Sequence, residues 1–68
     1  MSKYRVFTKK GCGTCMSVKA TLRNSHVEFE EIDVGTPEGL AMAERLNITH
    51  AGTIIDMDEK IVPLKEAL

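Results

Sequence analysis

The chain has 68 residues, 43% of them hydrophobic and 28% charged, with a formal net charge of -1. That length holds one domain, residues 1–68, with a small core, and the composition is that of a folded chain rather than a disordered one. No apolar run approaches the ~20 residues that a membrane span needs, and the few basic residues lack the aromatic interleaving of a nucleic-acid surface, so neither a membrane nor nucleic acid is expected as a partner.

Residues 3–7 read as a first strand, with Tyr4, Val6 and Phe7 apolar. Residues 8–11 read as a turn that delivers Cys12. From Gly13 to about Asn24 the pattern is helical: Cys15, Val18 and Leu22 share one face, which Met16 and Ala20 widen. Residues 27–32 form a second strand whose alternation slips after Phe29 toward Ile32 and Val34, as a bulge or a strand end would cause. Gly35-Thr36-Pro37 starts a second helix, with Thr36 as N-cap and Pro37 in the first position. That helix runs to about Leu46 and is expected to bury Leu40, Ala43 and Leu46, and Gly39 weakens its first turn. The β-branched stretch at 53–57 suits a buried strand. Asp58-Glu59 turns the chain back through Lys60-Ile61-Val62 as an antiparallel partner. Pro63 then opens a last helical piece at 64–68, barely more than one turn. The order is β-α-β-α-β-β with a truncated final helix. The first βαβ unit should place its strands in parallel, which makes a four-stranded mixed sheet.

The informative stretch is Cys12-Gly13-Thr14-Cys15, which holds both cysteines of the chain. Two thiols one helical turn apart can close a small disulfide ring, and a thiol at a helix N-terminus is biased toward the reactive thiolate. The first five residues contain no apolar signal region, and the chain begins with Met1, so a cytoplasmic location is expected. In that reducing setting a close cysteine pair is catalytic or metal-binding rather than structural. Half a zinc site is the bland alternative. It needs about four ligands, and the spacing of His26 and His50 to the cysteines fits no finger pattern, so no metal is assigned. His26 reads as a loop residue before the second strand. His50 reads as a polar residue in a loop that should approach the cysteines.

Charge is distributed unevenly. Residues 1–27 carry Lys3, Arg5, Lys9, Lys10, Lys19 and Arg23 and no acid, whereas residues 28–68 carry all ten acids against Arg45, Lys60 and Lys65. One reading is cross-strand pairing, with Lys3 and Arg5 facing Glu28 and Glu30. The other is a positive field that stabilises a thiolate and attracts acidic partners.

A strand, a turn and Cys-x-x-Cys opening a helix form a specific combination. With Val6-Phe7-Thr8-Lys9-Lys10-Gly11 ahead of the cysteines, Val18, Lys19 and Leu22 after them, and Phe29-Glu30-Glu31-Ile32-Asp33-Val34 in the second strand, the chain resembles a glutaredoxin of the thioredoxin-fold superfamily. The likeness extends less clearly over residues 49–55 and is strongest to the small redoxins that serve ribonucleotide reductase. The resemblance implies a thioredoxin-like α/β fold and a thiol–disulfide oxidoreductase with no resident cofactor. Cys12 attacks a substrate disulfide and Cys15 resolves the mixed disulfide. Lys9, Lys10, Gly11, Gly13 and Thr14 form the active-site loop. The lysines add positive potential, while Gly13 and Thr14 permit a tight turn between the sulfurs. Ala51, Gly52 and Thr53 stand where the family binds substrate backbone. The implied partners are a disulfide-containing protein, ribonucleotide reductase among them, and glutathione or a flavoprotein reductase as electron donor.

Two departures from the family set further expectations. Gly52 stands where the family has a cis-proline. A trans bond, a looser loop and free room beside the sulfurs follow, and that room suggests an alternative in which two chains share a metal or iron–sulfur cluster. The C-terminal stretch Val62-Pro63-Leu64-Lys65-Glu66-Ala67-Leu68 lacks the family's Gly-Gly turn and acidic glutathione contact. The short last helix leaves one sheet face thinly covered. The expected state is a monomer or weak dimer, and an interaction domain with an idle cysteine pair is the other alternative.

Overall fold

A computed structural model describes residues 3–68; Met1 and Ser2, on which the N-terminal argument partly rests, lie outside them. Along the described chain run β1 (Tyr4–Thr8), α1 (Gly13–Asn24), β2 (Phe29–Asp33), α2 (Pro37–Arg45), β3 (Ile54–Asp56), β4 (Ile61–Val62) and α3 (Leu64–Ala67). The four strands form one sheet in the order β2-β1-β3-β4. β1 is parallel to β2 and antiparallel to β3, and β3 is antiparallel to β4. The mixed sheet and short last helix therefore match the sequence expectation. None of the described helices is long and apolar enough to cross a membrane.

Alternation along β1 divides the core between two faces. Val6 packs with Val18, Leu22, Ile54 and Ala67, so α1 and α3 cover one face. Phe7 packs with Ala43 and Ile55, with Met42 and Leu46 beside them, so α2 covers the other. Although α3 is a single turn, Ala67 is only 5% exposed, and Leu64 also reaches the first cluster. The thin cover expected on one face shows instead at the margins, where Met57, Ile61 and Leu68 are exposed.

β2 corrects two expectations. It begins at Phe29 rather than residue 27, and its pairing to β1 is unbroken from Tyr4↔Phe29 to Thr8↔Asp33, so there is no bulge. The slipped alternation arises because β2 is an edge strand whose two faces meet different partners. Phe29 joins the α1 cluster and Ile32 the α2 cluster. On the α1 side Glu31 takes ion pairs from Lys19 at 3.4 Å and Arg23 at 3.1 Å. Glu30 pairs across the sheet with Arg5 at 3.8 Å, as expected from the charge pattern. β1 also runs one residue further than expected, and Thr8 is buried.

The helices bury narrower stripes than their sequences suggest. α1 buries Cys15, Val18 and Leu22, but Met16 and Ala20 are exposed because only the i, i+3, i+7 face meets the sheet. α2 opens as expected, with the Thr36 hydroxyl oxygen accepting from the Gly39 amide at 3.0 Å and Pro37 in the first turn. Leu40, however, is 48% exposed. The residues of α2 that are buried are Gly39 and Ala43, and they share one face. A Cβ on Gly39 would lie 1.9 Å from the Asp33 carbonyl oxygen. Gly39 is thus the residue that lets α2 lie on the end of β2, rather than a mere weakness in the helix.

Candidate functional site

β1 ends at the turn that carries the first cysteine. Lys9 closes this turn through its carbonyl, which accepts from the Cys12 amide at 3.3 Å. Gly11 takes the left-handed backbone the turn requires, at φ +77°. Gly13 is the first residue of α1, and a Cβ there would meet nothing within 4 Å. Position 13 therefore has room for a side chain.

Cys12 is the N-cap of α1. Its sulfur accepts from the Cys15 amide at 3.1 Å, the bond that a Ser or Asp oxygen makes at ordinary helix starts. The first turn of α1 contains no acidic side chain to compete with a negative sulfur. Cys15 lies one turn on, 1% exposed, with its thiol 3.7 Å from the Phe7 carbonyl oxygen. Both cysteines are free thiols.

These surroundings pull the two thiols apart. Cys12 is held below the ordinary thiol range, first by hydrogen bonding from the Cys15 side chain, then by the Cys15 amide, with the Lys9 charge and the Thr14 amide adding to the effect. Cys15 is pushed up, chiefly by burial and then by its hydrogen bond with Cys12. The first sulfur is therefore shifted toward the anion and the second toward keeping its proton, the division that a stepwise disulfide exchange uses. Among the described residues no carboxylate pairs with Lys9 or Lys10. The basic half of the chain thus shows the cross-strand pairing and, at Lys9, a positive charge acting on the first thiol. Arg5, Lys19 and Arg23 pair with Glu30 and Glu31, while Lys9 acts on Cys12 and Lys10 is exposed on the same turn.

The loop before β3 reaches the cysteines, as expected, but it is neither loose nor open. The Gly52 amide donates to the Phe7 carbonyl at 2.6 Å, and the Phe7 amide donates to the Thr53 carbonyl at 2.9 Å. The Thr53 hydroxyl closes the loop on the His50 carbonyl at 2.7 Å. Gly52 has φ +89°, a left-handed backbone that proline cannot adopt, and the described peptide bonds are all trans. A Cβ at 52 would lie 2.9 Å from the Thr14 methyl carbon and 3.8 Å from the Cys15 nitrogen. The room expected beside the sulfurs is therefore filled by Thr14. Among the described residues, no group of three or more His, Cys, Asp and Glu side chains is gathered to hold a metal. With the room gone, the shared-cluster alternative loses the observation that suggested it.

Ala51 and His50 line a hollow of about 180 Å³ with Lys9, Val34, Leu40 and Ile48. This puts Ala51 beside the basic turn and Gly52 against the cysteine turn, so the expected site residues converge. Phe7 was not anticipated as a member. It contributes a backbone carbonyl, which has no signature in the residue type.

A family model described as Glutaredoxin matches residues 5–54. The solved structure of the thioredoxin-like protein BC3987 superposes with a TM-score of 0.78 at 24% identity, covering 97% of this chain and 100% of that one. Its T8A mutant superposes with a TM-score of 0.76 at 24% identity, covering 88% and 82%. These likenesses establish a thioredoxin-like fold. No curated protein sequence matches the chain.

Proposed function

The chain belongs to the glutaredoxin family, and on that premise we propose that it is a small thiol–disulfide oxidoreductase working through Cys12 and Cys15. The observation that carries this reading is the sulfur of Cys12 serving as the helix cap, 3.1 Å from the Cys15 amide, while Cys15 is buried behind it.

The chemistry balances over two exchanges. The Cys12 thiolate attacks one sulfur of a substrate disulfide, forming a mixed disulfide and releasing the other sulfur as a thiolate. Cys15 then loses its proton and attacks Cys12. This releases the second substrate thiol and leaves the Cys12–Cys15 disulfide, so the substrate gains two electrons and the protein loses two. A reductant restores the dithiol, either glutathione or a flavoprotein reductase. The substrate is a disulfide-bearing protein, with ribonucleotide reductase the one suggested by the resemblance, and the setting is the cytoplasm. Exposed Lys9 and Lys10 around the sulfur, with no carboxylate paired to them among the described residues, suit an acidic partner surface.

The test is turnover of a protein disulfide with each donor in turn, using wild type, Cys12→Ser and Cys15→Ser. Wild type should cycle, Cys12→Ser should be inactive, and Cys15→Ser should accumulate the mixed disulfide. Full activity of Cys12→Ser would end this reading. An idle pair in an interaction domain would show Cys12 titrating like a free thiol and no turnover with either donor.

A further inference from the structure

The segment 50–53 and the cysteine turn come from distant parts of the sequence, yet they touch at one point. A Cβ placed on Gly52 would sit 2.9 Å from the Thr14 methyl carbon, closer than real Cβ contacts come, and 3.8 Å from the Cys15 nitrogen. The backbone at 52 has nowhere to retreat, because its amide is tied to Phe7 at 2.6 Å and the next residue's carbonyl accepts the Phe7 amide. The group that a side chain at 52 presses on is therefore the Thr14 methyl, and the next residue, Cys15, supplies the amide that caps the Cys12 sulfur at 3.1 Å.

We propose that Gly52 is a positioning residue for the cysteine pair: its bare α-carbon seats the Thr14 methyl, and that seat holds the Cys15 amide on the Cys12 sulfur. The proposal deepens the redox reading, since it rests on Cys12 being the reactive sulfur. The left-handed backbone at φ +89° already calls for glycine at this position, and the missing side chain gives that glycine a second use. The residue is not a gap left by proline but one half of a two-residue fit, with Thr14 as the other half. A hydrogen bond to an anionic sulfur is stronger than one between neutral groups. Displacing that amide therefore costs the thiolate directly, whatever happens to the rest of the fold.

The experiment is a set of paired substitutions read by the rate at which iodoacetamide alkylates Cys12 of the reduced protein at pH 7, with the site assigned by mass spectrometry. Gly52→Ala should slow alkylation by at least about threefold, as the thiolate fraction falls. In a Thr14→Ser background, which lacks the methyl, Gly52→Ala should change the rate little. In a Thr14→Val background, which keeps a methyl, it should slow the rate as it does in wild type. That pattern is a coupling between the two positions that strain at 52 alone does not produce. Unchanged alkylation in Gly52→Ala, or equal slowing in the Thr14→Ser background, overturns the proposal. If Gly52→Ala does not fold, recovery of folding by Thr14→Ser supports the seat. Failure in both backgrounds overturns it, because the left-handed backbone then accounts for the glycine. Disulfide turnover by the same proteins is scored separately: wild type that alkylates fast but reduces nothing refutes the redox function and leaves the Gly52–Thr14 coupling to its own result.

Discussion

The Gly52 amide donates to the Phe7 carbonyl at 2.6 Å, and the Cys15 thiol donates to the same carbonyl at 3.7 Å. A single backbone oxygen at the end of β1 thereby joins the loop before β3 to the buried sulfur. Proline at 52 has no N–H to give and cannot reach φ +89°. Restoring the family's usual residue should therefore harm this chain. Gly52→Pro is expected to destabilise it by roughly 2–4 kcal/mol, seen as a lower midpoint in urea. A midpoint equal to wild type would show that the loop accepts the proline geometry after all.

Reactivity should track pH in two separated steps. Cys12 lies below the ordinary thiol range and Cys15 above it, and only the thiolate is alkylated. The alkylation rate of Cys12 should rise with a midpoint below the ~8.5 of a free thiol, whereas that of Cys15 should rise with a midpoint above it. A single midpoint near the free-thiol value for both sulfurs would contradict the geometry of the cap.

Opposite shifts also bend the stability of the reduced protein. Cys12 has a lowered folded pKa, so between that pKa and the unfolded thiol value the unfolded chain binds more protons, and stability rises with pH. Cys15 has a raised pKa, so above the unfolded value the folded chain holds the extra proton, and stability falls with further pH increase. Within the range where only thiols titrate, reduced protein should be most stable near the free-thiol pKa. The Cys12→Ser variant should lose the rising limb and keep the falling one. Urea midpoints between neutral and alkaline pH check both limbs.

At an exposed interior position of a helix, Gly→Ala gains up to about 1 kcal/mol. Gly39 should show the reverse. Its Cβ would lie 1.9 Å from the Asp33 carbonyl oxygen, so α2 would have to lift from the end of β2. Gly39→Ala is expected to cost roughly 1–3 kcal/mol as an overpacked contact, measured by urea unfolding. A stabilised variant would mean that α2 is free to shift.

What the sequence made legible was local. Cys12 at a helix start, Thr36 before Pro37, and the Cys15–Val18–Leu22 stripe all declare themselves within one or two turns of chain, and each stands as read. What it hid was approach between distant segments. Leu40 has the right spacing for a buried position, but the small residues Gly39 and Ala43 choose the face that meets the sheet. The alternation slips after Phe29 because the partners of Glu31, Lys19 and Arg23, sit on a different element. Gly52 read as an absence of proline, since the Thr14 methyl that fills its space is 38 positions away. In each case the deciding contact joins two elements, and no window along the chain contains both halves.

The placement of Glu30 and Glu31 has a bearing on self-association. β2 is one edge of the sheet, a strand with unsatisfied backbone groups that could template pairing with another molecule. Consecutive glutamates put a carboxylate on each face of that edge, one bound to Arg5 and the other to Lys19 and Arg23. A neighbour adding a strand there would have to bury both charges or break three ion pairs. The opposite edge, β4, is only two residues long. The same acids that blur the strand in the sequence thus act as gatekeepers against strand addition at that edge.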